Sequence, residues 1–307
     1  MHITALGIKY NLKEDSYLKY LDIVAVGTVS DIVSLTGENR IITRYGIEML
    51  KTTKNLGLAA LLKLVGINDI DSLLISFAIA PRINACGRMG NARIAVELLL
   101  CKTNIEAEKL AIKLNEQNIL RQGVEKKIFD EALDIVKTND LDKLNAIILY
   151  NESWHNGVIG IVASKLVNIY NKPVILFTKE NDVIRGSGRC QAGFSLYESL
   201  TKCKDLLTQF GGHELAAGMT IDKSKIEEFK NRFYEVAGEL NISSEEKIIE
   251  VDAEIKKEDL NILTIKDTIK MKPYGQGNLE PLFIYKGFKI QAISTIKEDK
   301  HLKLTLK

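Results

Sequence analysis

Two glycine-rich stretches carry the residue types that could hold an anion. They are Gly186-Ser187-Gly188-Arg189 and Gly211-Gly212-His213, and a helix is predicted between them. Small residues let a ligand approach backbone N–H groups, Ser187 adds a hydroxyl donor, and the Arg189 guanidinium can grip a phosphate with two hydrogen bonds. His213 could donate to the same anion. The structural alternative is a pair of tight turns, with His213 as a cation at the C-terminus of the helix.

A second basic stretch, Ala80–Arg93, contains three arginines, two glycines and no acidic residue. We predict that it forms a positively charged loop, which would suit the phosphates of a nucleic-acid backbone. Arg88 is the main candidate for a phosphate ligand, and Arg82 and Asn84 are further candidate DNA contacts. The alternative is a basic loop that only faces solvent.

Two further side chains are candidates because they lie at the ends of predicted elements. His155 precedes a predicted helix, where it could face an anion or could simply pack in a turn. Asp31 follows an apolar run, Leu21–Val26, which predicts a strand buried on both faces. A carboxylate just past such a strand is where α/β folds place ligands, so Asp31 is a candidate metal ligand. The alternative is a turn or N-cap aspartate.

These candidates are positioned by a predicted α/β architecture. Residues 44–102 are predicted to be helical, and residues 104–137 to form one helix of roughly 50 Å, which is typical of a connection between domains. From Asn145 onward strands alternate with helices, which predicts a mixed sheet with helices packed on it. The helix after the first glycine-rich stretch begins with a capping-box pattern at Ser195 and is expected to end at Gly211.

Beyond Ser244 the hydrophobic pattern changes and predicts a small β-barrel that resembles an OB fold. Residues 248–255 are predicted to form a strand, and the alternation over residues 288–307 stops in mid-pattern. Both ends of the chain therefore look cut, because residues 1–20 cannot supply a sheet around the predicted first strand.

Composition limits the possible classes of function. The 307 residues carry a net charge of only +2, so an anion site must be local rather than a property of the whole surface. The four cysteines lack metal-binding spacing, which favours reduced thiols in a cytosolic protein and argues against a zinc site. The sequence shows no signal pattern and no apolar run long enough to span a bilayer, so we expect no membrane association and a cytoplasmic location.

Taken together, these stretches resemble the RecJ family of single-strand-specific 5′→3′ DNA exonucleases, in the DHH phosphoesterase superfamily. The resemblance covers nearly the whole chain in the family's order, and its most specific part begins at Trp154. The matching stretches are Asp22–Asp31 with Gly37–Arg40, Ala80–Arg88, Trp154–Ser164, Gly186–Arg189 with Phe210–His213 and Ala216–Gly218, and Tyr274–Pro281.

The resemblance implies a role for each candidate residue. Asp31 would be the last metal-binding aspartate of the catalytic domain, in a two-metal site that uses Mn²⁺ or Mg²⁺. Arg88, Ser187 and Arg189 would form the pocket for the 5′-phosphate of DNA, and His213 would lie in a motif that faces the active site. The expected partners are single-stranded DNA with a 5′-phosphate, a single-strand-binding protein and a helicase.

The family's earlier motifs, an Asp-x-Asp, a further aspartate and the Asp-His-His, have no counterpart before Asp31, and no Asp-His-His tripeptide occurs anywhere. Asp31 by itself cannot bind two metal ions, so we expect the C-terminal part of a RecJ-like protein, inactive alone. The expected domains are a catalytic-domain remnant (1–45), a helical region with the long helix (46–139), a DHH-associated substrate-binding domain (140–243) and a partial OB fold (244–307).

Two other functions stay open at this point. One is a different DHH-superfamily phosphodiesterase, which would cleave oligoribonucleotides or cyclic dinucleotides. The other is a module that binds single strands and has no chemistry of its own.

Overall fold

The computed structural model describes residues 9–10, 16–66, 69–239, 248–296 and 301–307. The chain divides into two compact units. The first unit comprises Met1–Thr53, Ile67–Ala78 and Lys247–Lys307, and the second comprises Lys54–Gly66 and Ile79–Glu246. The predicted domain boundary between residues 243 and 244 lies outside the described residues.

Both units contain α-helices longer than one turn. In chain order they are α1 (Leu21–Ser30), α2 (Gly37–Leu50), α3 (Leu56–Val65), α4 (Ala80–Arg88), α5 (Arg93–Leu100), α6 (Asn104–Thr138), α7 (Asn156–Tyr170), α8 (Leu196–Lys202), α9 (Ile226–Glu239) and α10 (Ile262–Ile269). A short α-helical turn and a π-helical segment precede α4, at Ser72–Leu74 and Ile75–Ile79. Within the described ranges, none of these helices could serve as a membrane span.

The second unit is built on a five-stranded mixed sheet with the order β1-β2-β3-β5-β4. Its strands are β1 (Ile147–Tyr150), β2 (Val174–Glu180), β3 (Val183–Arg189), β4 (Leu207–Gly212) and β5 (Ala216–Ile221). The first two strands are parallel and the other neighbours are antiparallel. Asn181 and Asp182 form the turn between β2 and β3, and both have positive φ, a conformation that Asn and Asp tolerate. The predicted mixed α/β sheet is therefore confirmed.

Strand β2 shows why the sheet is covered on both faces. Its first five residues are all buried, and alternate side chains belong to different hydrophobic clusters. Val174 and Leu176 pack in the cluster that includes α6 and α7, whereas Ile175 and Phe177 pack in the cluster that includes α8 and α9. A continuous apolar run is the expected sequence of a strand with helices on both sides.

Helix α6 has 35 residues and runs for roughly 50 Å, as the unbroken pattern without proline predicts. Its N-cap residue is Thr103, whose hydroxyl accepts a hydrogen bond from the Glu106 amide at 3.2 Å. One face of the helix is buried along its length, from Ala107 to Val136. This buried face fixes α6 within the second unit, where it contacts α4 and α7.

The prediction of a strand over Leu21–Val26 is wrong, because these residues form the first turns of α1. An apolar run without a clear period does not distinguish a buried helix from a buried strand. Packing against α2 decides the outcome. A Cβ atom at Gly46 would lie 2.2 Å from the Leu21 carbonyl oxygen and 2.4 Å from the Ala25 Cβ, so this glycine lets the two helices pack closely.

The basic stretch predicted as a loop is helical over Ala80–Arg88. Pro81 lies in the first turn of α4, where its missing N–H has no helical partner to lose. The arginines of this stretch therefore project from a rigid element. The prediction of helix over the wider span 44–102 is otherwise confirmed by α2 to α5.

Two predictions around the glycine-rich stretches are also wrong. The helix after Ser195 ends at Lys202, and Leu207–Gly212 is strand β4. A bulge in β4 between Leu207 and Gln209 breaks the strand alternation, so its apolar residues matched a helical spacing. Residues 186–189, whose structural alternative was a tight turn, are the end of β3. Gly186 is needed there because a Cβ atom would lie 2.5 Å from the Phe177 ring.

The C-terminal segment of the first unit contains two small sheets. Strands β6 (Ala253–Glu254) and β7 (Phe283–Ile284) are parallel, and β8 (Ile290–Ile296) pairs with β9 (His301–Leu306) in an antiparallel hairpin. The strand predicted over 248–255 is thus only two residues long. The described residues of this segment form no closed barrel.

Candidate phosphate-binding site

Ser187 and Arg189 alternate along β3 and therefore point to the same face of the sheet, toward α7. Gly160 of α7 lies directly over them. A Cβ atom at Gly160 would be 2.8 Å from the Ser187 Oγ atom and 3.0 Å from the Arg189 Nη2 atom. The glycine therefore leaves room for both polar groups, and a side chain at this position would force at least the Ser187 hydroxyl to move.

The Arg189 guanidinium is held by its neighbours on the strand. Its Nη1 atom donates to the Ser187 Oγ atom at 3.0 Å and to the Gly188 carbonyl oxygen at 2.6 Å. Partial burial, and next the positive charge of Arg88, lower the pKa of Arg189. The Ser187 hydroxyl accepts from Arg189 and still has its own proton to donate. The pair therefore offers converging donors with a net positive charge.

Arg88 reaches the same place from the C-terminal end of α4. Its Nη1 atom donates to the Gly157 carbonyl oxygen at 3.3 Å. A Cβ atom at Gly157 would lie only 2.2 Å from the Arg88 carbonyl oxygen, so this glycine lets α4 and α7 meet. Desolvation is the main cause that lowers the pKa of Arg88, followed by repulsion from Arg121. The predicted grouping of Arg88 with Arg189 corresponds to a real proximity within the second unit.

A buried ionic network on α6 lies next to these arginines. Glu125 is only 6% exposed, bonds to Arg121 one helical turn away and pairs with Lys165 of α7 at 2.5 Å. Arg121 also donates to the Asn118 side chain at 2.6 Å. The sequence patterns did not reveal this network. The only signal was an Arg/Glu pair four residues apart, which is the usual pattern of a solvent-exposed ion pair.

The other candidates on α4 have different surroundings. The Arg82 Nε atom donates to Asn115 of α6 at 2.9 Å, and burial lowers the pKa of Arg82. Asn84 is exposed and precedes Arg88 by one helical turn, which places the two residues on one face of α4. The geometry therefore groups Asn84, rather than Arg82, with Arg88.

His155 is the N-cap residue of α7, so the predicted helix start is confirmed. Its Nδ1 atom accepts a hydrogen bond from the Gly157 amide at 3.1 Å. A nitrogen that accepts this bond carries no proton, so only Nε2 is available to donate to an anion.

His213 is exposed in the turn between β4 and β5, so its alternative role at a helix C-terminus is wrong. Its amide donates to the Ala216 carbonyl oxygen at 2.9 Å, and Ala216 pairs with Arg189 across β3 and β5. His213 is thus about two strand spacings, roughly 10 Å, from Arg189. It borders an open depression with Tyr197 and Glu198.

The sheet face beside Ser187 is left bare by two glycines. Ser187 pairs with Gly218 on β5, and Gly218 pairs with Gly211 on β4. A Cβ atom at either glycine would meet no atom of the described residues within 4 Å. These glycines therefore form a flat, open strip that extends from the arginine pair toward His213.

Asp31, in the first unit, lies in a simpler environment. It is the exposed C-cap residue of α1, and its amide donates to the Gly27 carbonyl oxygen at 3.1 Å. Its predicted position after a buried strand is therefore wrong, because it follows a helix. Within the part of the chain that the structure describes, no three His, Cys, Asp or Glu side chains group closely enough to hold a metal ion. The residues present do not fit a two-metal centre.

Comparisons with known proteins agree with the resemblance. Residues 143–239 match the DHHA1 domain, and residues 251–307 match the RecJ OB domain. The single-stranded-DNA-specific exonuclease RecJ of Bacillus subtilis is 38% identical over 295 residues, which is 94% of this chain and 37% of that protein. The Escherichia coli protein of the same name is 33% identical over 286 residues, 89% of this chain and 49% of its own length.

The fold shows the same relationship. The crystal structure of RecJ from Thermus thermophilus in complex with Mn²⁺ matches 98% of this chain with a TM-score of 0.88 and 31% identity, over 44% of that chain. The chain thus spans about half or less of the length of these relatives. Both matched domain ranges fall inside the predicted segments 140–243 and 244–307, whose boundaries stay predictions.

Proposed function

Since this chain belongs to the RecJ family and carries its DHHA1 and OB domains, we propose that it is the DNA-binding part of a single-stranded-DNA-specific 5′→3′ exonuclease. The observation that carries the proposal is the convergence of Arg88, Ser187 and Arg189 in the second unit. Two neighbouring guanidinium groups and a hydroxyl donor match the oxygens of a terminal phosphate.

A 5′-terminal phosphate differs from an internal phosphodiester in charge and in shape. It carries a charge of about −1.5 to −2 at neutral pH and presents three terminal oxygens. The two arginines can neutralise that extra negative charge, whereas one exposed lysine or arginine would not distinguish a terminal phosphate from an internal one. Binding should not depend on base sequence, because phosphate contacts position a strand without reading it.

The open strip of Gly211 and Gly218 supports a path for the strand that follows the 5′ end. A surface without side chains admits a sugar-phosphate backbone close to the sheet, and His213 lies at its far side. We assign Asn84, on the Arg88 face of α4, as a further contact with the DNA backbone. We assign His155 as another such contact, through its Nε2 atom. Arg82 has a partner on α6 and is assigned only as a positive charge near the site.

Crystal structures of RecJ from Thermus thermophilus hold Mg²⁺ or Mn²⁺, which supports the proposal that hydrolysis by the whole protein uses a divalent metal ion. Asp31 would be one ligand of such a centre, and the described residues offer no cluster of further ligands around it. We therefore propose that the chain alone binds DNA and does not cut it. We further propose that the protein is cytoplasmic and that its protein partners are a single-strand-binding protein and a helicase.

The test compares a 5′-phosphorylated oligonucleotide with the same oligonucleotide carrying a 5′-hydroxyl. Fluorescence anisotropy with the 307-residue chain should show tighter binding of the phosphorylated strand, on the order of tenfold. With Mn²⁺ added, gel analysis of the labelled strand should show no release of nucleotides. Equal affinity for both ends would contradict the pocket, and metal-dependent degradation would contradict the proposed lack of activity.

A further inference from the structure

The buried Glu125 carboxylate lies among positive charges that belong to three helices and a strand. It bonds to Arg121 on its own helix and to Lys165 on α7. Arg88 reaches this network through α7, because its Nη1 atom donates to the Gly157 carbonyl oxygen on the helix that carries Lys165. Burial, and next repulsion by Arg121, lower the pKa of Arg88, whereas attraction by Glu125 raises it. Arg189 in turn lies close to Arg88. The phosphate site and the α6 network therefore form one continuous cluster of charges.

The charges in this cluster do not balance. Lys165, Arg121, Arg88 and Arg189 contribute four positive charges and Glu125 one negative charge, a net charge of +3. A 5′-phosphate with about −2 would bring the cluster close to neutrality. Without a ligand, Glu125 is the only carboxylate among these five side chains that offsets the repulsion between the guanidinium groups.

We propose that Glu125 is the resident counter-charge of the phosphate pocket, which stabilises the pocket when empty and limits how tightly a 5′-phosphate binds. This inference rests on the proposed function. Glu125 holds Arg121 and Lys165 in place, yet its negative charge also repels an incoming phosphate. An exonuclease that advances along a strand must release each 5′ end it has held, and a moderated affinity serves that need.

The substitution Glu125→Gln separates this role from simple packing. Glutamine keeps the shape of the side chain and one oxygen that can accept from Arg121, but it removes the negative charge. The pocket then becomes more positive, so a phosphate should bind more tightly. The empty protein should unfold more readily, because the largely buried Arg121 guanidinium loses its ionised partner. A merely structural residue would weaken the fold without improving binding.

The experiment uses the full chain and the 5′-phosphorylated and 5′-hydroxyl oligonucleotides. Glu125→Gln should bind the phosphorylated strand roughly three- to tenfold more tightly than the unmodified chain, with little change for the hydroxyl strand. The increase in melting temperature produced by the phosphorylated strand should also be larger in the variant. Glu108→Gln is the matched control, since it makes the same charge change on α6 about 25 Å away along the helix. It should leave both affinities unchanged.

Lys165→Met supplies a second, independent variant with the opposite sign. Methionine keeps most of the apolar stem, while the loss of the cation leaves the Glu125 charge less compensated. Binding of the phosphorylated strand should weaken a few-fold, again with little effect on the hydroxyl strand. If Glu125→Gln does not fold, Lys165→Met still tests whether the Glu125 charge limits the affinity for a 5′-phosphate.

Three outcomes would overturn the inference. They are weaker or unchanged phosphate binding in Glu125→Gln, an equal change for both strands, or tighter binding in Lys165→Met. If the unmodified chain itself failed to distinguish the two strands, the proposed function would be at fault rather than the role of Glu125.

Discussion

The surroundings of Arg189 and of Asp31 differ in a way that separates binding from chemistry. Arg189 is partly buried, bonded to Ser187 and Gly188, and close enough to Arg88 for their charges to interact. Asp31 is exposed at the end of a helix, and it belongs to no cluster of potential metal ligands among the described residues. The second unit thus brings together several candidate phosphate ligands, whereas the first unit holds a single candidate metal ligand.

The difference can be stated in terms of electrostatic free energy. Arg189 is partly buried and Arg88 is exposed, and their like charges repel, so an anion between them would relieve that repulsion. The exposed Asp31 carboxylate is already solvated by water, so its position at the surface costs little free energy. Two like charges held close together therefore favour an anionic ligand more than a single exposed carboxylate favours a metal ion.

The substitution Gly157→Ala should damage the assembled site most strongly. The new Cβ atom would lie 2.2 Å from a backbone oxygen, so α4 and α7 must separate and carry Arg88 away from Arg189. Urea unfolding should show a loss of about 1–3 kcal/mol, together with a loss of the preference for the 5′-phosphate. Gly123→Ala in α6 is the control. Its Cβ atom would meet no described atom within 4 Å, and the change should stabilise the helix by up to about 1 kcal/mol.

A smaller effect is expected from Ser187→Ala. The hydroxyl that accepts from Arg189, and that we propose donates to the phosphate, is lost, while both guanidinium groups remain. Binding of the phosphorylated strand should weaken by about 0.5–1.5 kcal/mol in anisotropy titrations. An unchanged affinity would mean that the hydroxyl faces only Arg189, and the site would then consist of the two arginines.

The smallest effect is expected from Asp31→Asn, which changes the candidate metal ligand of the first unit. An exposed side chain at a helix C-cap should contribute within about ±0.5 kcal/mol to stability and to DNA binding by the chain. Melting curves and anisotropy titrations with and without Mn²⁺ should therefore superimpose on those of the unmodified chain. A Mn²⁺-dependent difference would show that Asp31 recruits a metal ion even in this chain.

Much of the fold was predictable because its signals are local and periodic. The long helix, the start of α7 at Asn156 and the run that forms β2 each follow from caps, alternation or an unbroken pattern. The failures share one cause, which is that tertiary packing decided between two local options. Leu21–Val26 is helical because of its packing partner α2, and Leu207–Gly212 is a strand because it pairs with β5.

The site itself was only partly predictable. Residue type and resemblance selected Arg88, Ser187 and Arg189, whose role in binding stays a prediction, and the elements that carry them were predicted wrongly. The role of Gly157 and Gly160 as points of close approach depends on contacts between distant segments. Burial of Glu125 depends on the same contacts, so the sequence pattern alone suggested an ordinary exposed pair.

The most direct test of the central claim compares Arg189→Ala with Arg185→Ala. Arg185 lies on the same face of β3, about 13 Å further along the strand, and pairs with Glu180 at 2.8 Å. Arg189→Ala should weaken binding of the phosphorylated strand by about 1.5–3 kcal/mol, roughly tenfold or more, and leave the hydroxyl strand nearly unchanged. Arg185→Ala should affect both strands alike and only slightly. If Arg189→Ala weakened binding of both strands equally, or of neither, Arg189 would not be a ligand of the 5′-phosphate.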